Sequence, residues 1–158
     1  MKNPQTLAEK LYVQFPTAKL KSIKDYSCCA LTMMWCCGYE PDDIEALLTV
    51  GRMLDKGVLD PDCTVYWDKM SRYLTGRGCN IEKVNIKTIS KIKERTPVYF
   101  ERTYLDSGGS TRKIGHWIGV EKGKIKFNAL EDSLCVKEGK PTMARILHFT
   151  GDEVCQKK

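Results

Sequence analysis

Residues 115–128 read GHWIGVEKGKIKFN. A histidine opens an apolar run, Trp117-Ile118-Gly119-Val120, and a short turn, Glu121-Lys122-Gly123-Lys124, follows. A second run, Ile125-Lys126-Phe127, alternates apolar with polar and ends on Asn128. β-type residues on either side of a Gly-containing turn predict a β-hairpin. In that hairpin His116 starts one strand and Asn128 ends the next, so their side chains are expected to lie side by side. An imidazole held by an amide is the orienting half of a nucleophilic triad, because the amide fixes the ring's tautomer and aim. The remaining part is a thiol, and DYSCCALTMMW at 25–35 offers one at the expected start of a helix.

A cysteine in the first turn of a helix has two uses. The unpaired N–H groups and the helix dipole favour its thiolate, and the same N–H groups can hold an oxyanion. Cys28 follows the turn-like run Asp25-Tyr26-Ser27 and is the expected nucleophile, with its own backbone as one oxyanion donor. Cys29 is the alternative, displaced by one residue. Cys36 and Cys37 sit at the far end of the helix, where the dipole opposes a thiolate. Tyr26 or Ser27 is the candidate second oxyanion donor, since no glutamine stands just ahead of Cys28. Asp132 is the alternative to Asn128 as third member, with Glu131 behind it. His148, the other histidine of the two, has no polar partner at hairpin spacing. Each residue also has a plain structural reading: a buried thiol, a histidine bonded to backbone at a strand end, and an asparagine that forms a turn.

The order of nucleophile, histidine and polar residue resembles the papain-like cysteine hydrolase superfamily. Ser27-Cys28-Cys29-Ala30-Leu31-Thr32 loosely resembles the opening of the catalytic helix in the NlpC/P60-like endopeptidases, with Cys29-Ala30 where Ser-Gly is usual. The spacing of His116 and Asn128 is also similar to that branch. Gly115-His116 resembles the strand opening of CHAP amidases. The chain is similar too to an uncharacterised papain-like family of bacterial plasmids and prophages. The resemblance covers the two motifs and the order of elements, not the segment between them. It implies a papain-like α+β fold and a cysteine peptidase or amidase acting on peptide or peptidoglycan, in the manner of a phage lysin. A cytoplasmic protein peptidase and a non-catalytic binding module on the same fold are the alternatives.

The chain has 158 residues, of which 42% are apolar, enough for one domain with a real core. Its 26 Lys and Arg against 20 Asp and Glu give a formal charge of +6. The excess is spread out, with a local rise from Lys83 to Arg95 that reads as a solvated face. An anionic partner such as a cell wall suits the charge, whereas no nucleic-acid motif or aromatic-basic patch is present. Eight cysteines without a CxxC pair argue against a structural zinc. Cys28-Cys29 and Cys36-Cys37 would lie roughly 12 Å apart along a helix, too far for one tetrahedral ion. No cofactor or metal is therefore expected. The polar N-terminus, MKNPQTLAEKLYVQF, does not read as a secretory leader, and no run is long enough for a membrane span. The expectation is a protein made in the cytoplasm that meets a wall only after membrane breach; the oligomeric state is open.

The elements that must position the site follow from periodicity. Helices are expected from Asn3 to Phe15 with Asn3 as cap, from Cys28 to Cys37 closed by Gly38, from Pro41 to Gly57, and from Asp68 to Leu74. Residues 17–27 read as a basic connector and Ile89 to Glu94 as one more helix. Strands are expected at 81–86, in VYFERTYL, RKIGHWIGV, KIKFNAL, SLCVKE and ARILHF, with DSGGS as a turn. A helical N-terminal half packed on a C-terminal antiparallel sheet is an α+β arrangement, here a single domain over 1–158.

Overall fold

The computed structural model describes residues 1–151. Cys155 and the C-terminal lysines therefore lie outside the described residues. Six helices fill mainly the N-terminal half: α1 (Pro4–Gln14), α2 (Ala18–Tyr26), α3 (Cys28–Cys36), α4 (Asp43–Asp55), α5 (Trp67–Thr75) and the short α6 (Leu134–Glu138). Five strands follow: β1 (Gly78–Asn85), β2 (Thr96–Leu105), β3 (Thr111–Glu121), β4 (Lys124–Phe127) and β5 (Lys140–Thr150). They form one sheet in the order β1-β5-β2-β3-β4, antiparallel throughout. The chain is α+β, as its pattern predicts. Among the described residues no helix is long and apolar enough to cross a membrane.

The sheet is covered on both faces. On one, α3 supplies Ala30, Leu31, Met33 and Met34, all fully buried, and these pack with α4, α5, Cys79 and Phe127. Helix α3 is apolar all round because it is enclosed all round. It ends in a Schellman motif: Gly38 turns left-handed at φ 76°, its N–H reaches Trp35 O, and Tyr39 N–H reaches Met34 O. On the other face Val98, Phe100, Ile118, Val120 and Ala144 pack with Cys135 and with Ile86, Ile89 and Ile92.

Four local expectations fail. Residues 17–27 are helix α2 rather than a connector. Thr17 caps it by accepting from Leu20 N–H at 3.2 Å, and Ile23 supplies its buried contact. Ile89 to Glu94 makes one turn, Ile92 N–H to Ile89 O, and then runs irregularly. The hairpin loop claims its carbonyls instead, through Lys122 N–H to Lys93 O and Gly123 N–H to Ile92 O. SLCVKE is helical over Leu134–Glu138, because the third strand position beside β2 is taken by β5. Asn3 makes no side-chain cap on α1. Its amide donates instead to Asn128 O at 2.9 Å, tying α1 to the end of β4.

Candidate active site

The hairpin of β3 and β4 turns on Lys122 (φ 51°) and Gly123 (φ 70°), two left-handed residues in succession, which is the type I′ geometry that suits strand twist. His116 lies inside β3, which begins at Thr111, and does not start it. Pairing begins at Glu121↔Lys124 and Val120↔Ile125, then slips by one residue so that Phe127 faces Gly119. That bulge decides the site. In an unbroken register Asn128 would fall opposite Trp117 and on its side of the sheet. The extra residue sends Phe127 to the helix side and Asn128 to the side of Ile118 and His116. Phe127 stacks on Trp35 of α3 at 6.1 Å. Gly119 leaves room for that stack, because a Cβ there would sit 2.5 Å from the Trp35 ring.

His116 and Asn128 meet as expected. His116 is buried at 5% exposure, and its Nε2 lies 2.8 Å from Asn128 Oδ1. Leu130 N–H donates to the same oxygen at 3.3 Å. A backbone donor at that atom identifies it as the amide oxygen, so Nε2 must carry the proton and Nδ1 is the free base nitrogen. Burial holds His116 below the ordinary histidine pKa, and the Asn128 bond offsets only part of this. Asp132, the alternative third member, does not reach the ring: it is exposed at 87% and paired with Lys137 at 2.8 Å. His148 is also elsewhere, on β5 and 3.2 Å from Glu82 of the edge strand β1, both side chains exposed.

Cys28 opens α3 as expected, but the run before it is helix, not turn. Asp25 and Tyr26 end α2, and Ser27 is a single right-handed residue between the two helices. The carbonyl end of α2 thus abuts the amide end of α3, which weakens the dipole's pull on a thiolate. Burial pushes the Cys28 thiol up. The backbone N–H groups of Trp117, Cys29 and Cys28 itself work the other way, and the nearby Cys135 thiol adds to the rise. No hydrogen bond joins Cys28 to His116 among the described residues. The sulfur lies by the Trp117 N–H, one residue along β3, where α3 is also tied on by Thr32 Oγ1 donating to Trp117 O at 3.2 Å. Cys29, the alternative, is raised well above the usual thiol value, by burial first and then by Cys28; Arg145 opposes this.

Cys28 and Cys29 line a cleft of about 390 Å³. Its aromatic wall is Trp67, Trp117 and Tyr99, with Trp117 5.9 Å from Trp67 and 5.2 Å from Tyr99. The Tyr99 ring lies across Gly115, where a Cβ would be 1.7 Å from it. A second hollow of about 580 Å³ shares Val65 and Trp67 with the first and adjoins it on that side. Tyr26, the candidate oxyanion donor, is 55% exposed on the cleft rim. Ser27 is fully buried, and its Oγ has no partner among the described residues. The cleft also takes Asp62, Cys63 and Arg145, which motif reading passes over. Arg145 was traceable only by carrying the alternation of β5 back from Leu147 and Phe149. Gln5 was missed as well: its buried side chain donates to Lys24 O at 2.6 Å, just before the junction of α2 and α3.

Cys36, Cys63, Cys79 and Cys135 are buried free thiols; burial, with Asp62 behind it, pushes Cys63 up to about 12. Among the described residues no three His, Cys, Asp or Glu side chains converge as a metal site. The chain matches no protein-family model, no curated protein and no solved structure.

Proposed function

We propose that the chain is a cysteine hydrolase of amide bonds. Cys28 attacks the carbonyl, His116 takes and returns the proton through Nδ1, and Asn128 holds the ring. The observation that carries this reading is the 2.8 Å bond from His116 Nε2 to Asn128 Oδ1, in a buried imidazole whose other nitrogen is left free as a base. The order of these residues resembles the papain-like hydrolases. Burial opposes charge on both partners, so the resting pair is neutral thiol and neutral imidazole. The thiol proton moves to Nδ1 as the carbonyl is attacked; His116 lies beside Trp117 on β3 but does not line the cleft, so this step requires the sulfur to leave the Trp117 N–H for the ring. The Cys28 backbone N–H, with that of Cys29, holds the oxyanion. Water then releases the acyl group, with His116 as its base.

Peptidoglycan stem peptide is the proposed substrate, because a charge of +6 draws the protein to an anionic wall. The test is release of new amino groups from purified walls, run beside a casein digest, for the native protein and for Cys28→Ala and His116→Ala. Walls cut by the native protein alone support the reading. Casein cut and walls spared moves the substrate to proteins. A second reading, a binding module on the same fold, is favoured by the raised Cys28 thiol and by the lack of a hydrogen bond between Cys28 and His116 among the described residues; inactivity on both substrates would favour it further.

A further inference from the structure

We propose that Arg145 is an anion anchor in the Cys28 cleft, so that the substrate presents a carboxylate beside the bond under attack. The proposal rests on the reading of this cleft as the substrate site. Arg145 lies in β5 and lines the cleft with Cys28 and Cys29. Its guanidinium stands 5.4 Å from the centre of the Trp117 ring, the residue whose backbone N–H faces the Cys28 sulfur. The Cys29 thiol feels its positive charge.

Beyond the Trp117 ring the charge has no internal partner among the described residues. Among the described residues Arg145 forms no salt bridge, and its one hydrogen bond is a long one, Nη1 to Ala144 O at 3.4 Å. The cleft's own carboxylates are engaged elsewhere. Asp25 is held by Lys21 at 2.7 Å and by Lys24. Asp62 accepts from Thr64 N–H at 3.1 Å and Thr64 Oγ1 at 2.7 Å. The residue directly across from Arg145 on β1 is Lys83, and like charges directly opposite destabilise a sheet. A cation placed against a like charge, facing the thiols and with no acid to neutralise it, keeps its charge available to a ligand; the Trp117 ring holds the guanidinium in place without cancelling that charge. A guanidinium stacked on an aromatic face is the arrangement that recognises a planar carboxylate through paired N–H donors.

The test reads the field of the cleft without requiring catalysis. Cys28 and Cys29 are alkylated with iodoacetate or with neutral iodoacetamide, and site-resolved rates are taken by mass spectrometry. The ratio of the two rates cancels any change in thiol pKa. It should fall by about threefold in Arg145→Gln, the scale of one partly exposed ion pair, and Arg145→Lys should retain part of it. In the native protein the ratio should fall towards the Arg145→Gln value as salt is raised. If Arg145→Gln does not fold, Arg145→Lys and the salt series carry the test. A ratio unmoved by both substitution and salt overturns the proposal. Three capped peptides distinguish the source of the carboxylate by protecting the thiols from iodoacetamide: acetyl-Ala-Glu-Ala-amide, acetyl-Ala-Gln-Ala as free acid, and acetyl-Ala-Gln-Ala-amide. Protection by the first assigns a side-chain carboxylate and by the second a terminal one. Equal protection by all three overturns the anchor. A protein inert to walls and casein that keeps the ratio retains the anchor and loses only the hydrolase reading.

Discussion

Asn128 reaches His116 because β4 carries a bulge. The slip between Gly119 and Val120 turns Phe127 onto α3 and Asn128 onto the ring, at 2.8 Å. One irregularity thus serves packing and polarity together. It seats an aromatic stack on Trp35, and it fixes the imidazole with Nδ1 free.

The bond positions the ring and does not react, so its loss should cost less than loss of the ring. Removing a general base typically costs about 10²–10⁴-fold, and that is the fall expected in His116→Ala. A single neutral hydrogen bond is worth about 0.5–1.5 kcal/mol, so Asn128→Ala should lose activity by roughly tenfold. Asp132→Ala, which removes an exposed partner of Lys137, should leave activity unchanged. Amino-group release from walls measures all three. A larger loss in Asp132→Ala than in Asn128→Ala would reverse the assignment of the third member.

The same burial sets a pH signature. His116 titrates below its ordinary value in the fold, so the unfolded chain takes up its proton first as pH falls. Stability from this site is therefore full above about 6.5 and declines as pH drops towards the folded pKa. The lowered carboxylates, Asp25, Asp62, Asp68, Asp106 and Asp132, act in a separate window below 3.8. Urea unfolding across pH 4.5–7.5 should show a loss on acidification that His116→Gln abolishes. An unchanged slope in that variant would mean the ring is not held neutral by the fold.

The strands and the helix that carry the site were legible because their signals are local. A thiol before an apolar run marks α3, and Lys122-Gly123 between alternating residues marks the hairpin. The pairing of His116 with Asn128 was legible as proximity, but its face was not. Unbroken alternation places Asn128 beside Trp117, and only the bulge, set by Trp35 packing from another part of the chain, moves it. Helix α2 was hidden because its apolar face is narrow: Ile23 is the one residue of the helix that is buried. Segment 134–138 combines β-type residues with a helical fate, because strand β5 had already taken the open edge of β2. Arg145 belongs to no motif at all, and its importance arises from what surrounds it in space.

Thiol chemistry should follow the geometry. Burial raises every cysteine among the described residues for which a shift is resolved, Cys37 and Cys63 to about 12. No thiol should therefore alkylate at neutral pH with the speed of an ion-paired thiolate. Labelling should climb steeply above pH 9, with half-buried Cys28 ahead of the enclosed Cys36, since three backbone N–H groups favour its thiolate. Iodoacetamide rates by residue across pH 6–10 measure this. A plateau for Cys28 already reached at pH 7 would show a standing ion pair with His116 and overturn the neutral resting state.

Two glycines of β3 should respond differently to alanine. At Gly119 the added Cβ meets the Trp35 ring at 2.5–2.6 Å and Phe127 Cβ at 3.0 Å. Trp35 is buried and stacked, and its ring is also covered by Arg95 at 4.5 Å, so it has nowhere to yield. Overpacking of this kind costs about 1–3 kcal/mol, and Gly119→Ala should lower the urea midpoint accordingly. At Gly115 the clash is with the far end of Tyr99, a half-buried ring on the open side of the cleft. That ring can swing outward, so Gly115→Ala should cost less stability while reshaping the wall beside Cys28. The expected result is a raised KM on walls with a nearly native urea midpoint. A Gly115→Ala protein as destabilised as Gly119→Ala would show that Tyr99 is fixed in the core rather than a movable wall of the cleft.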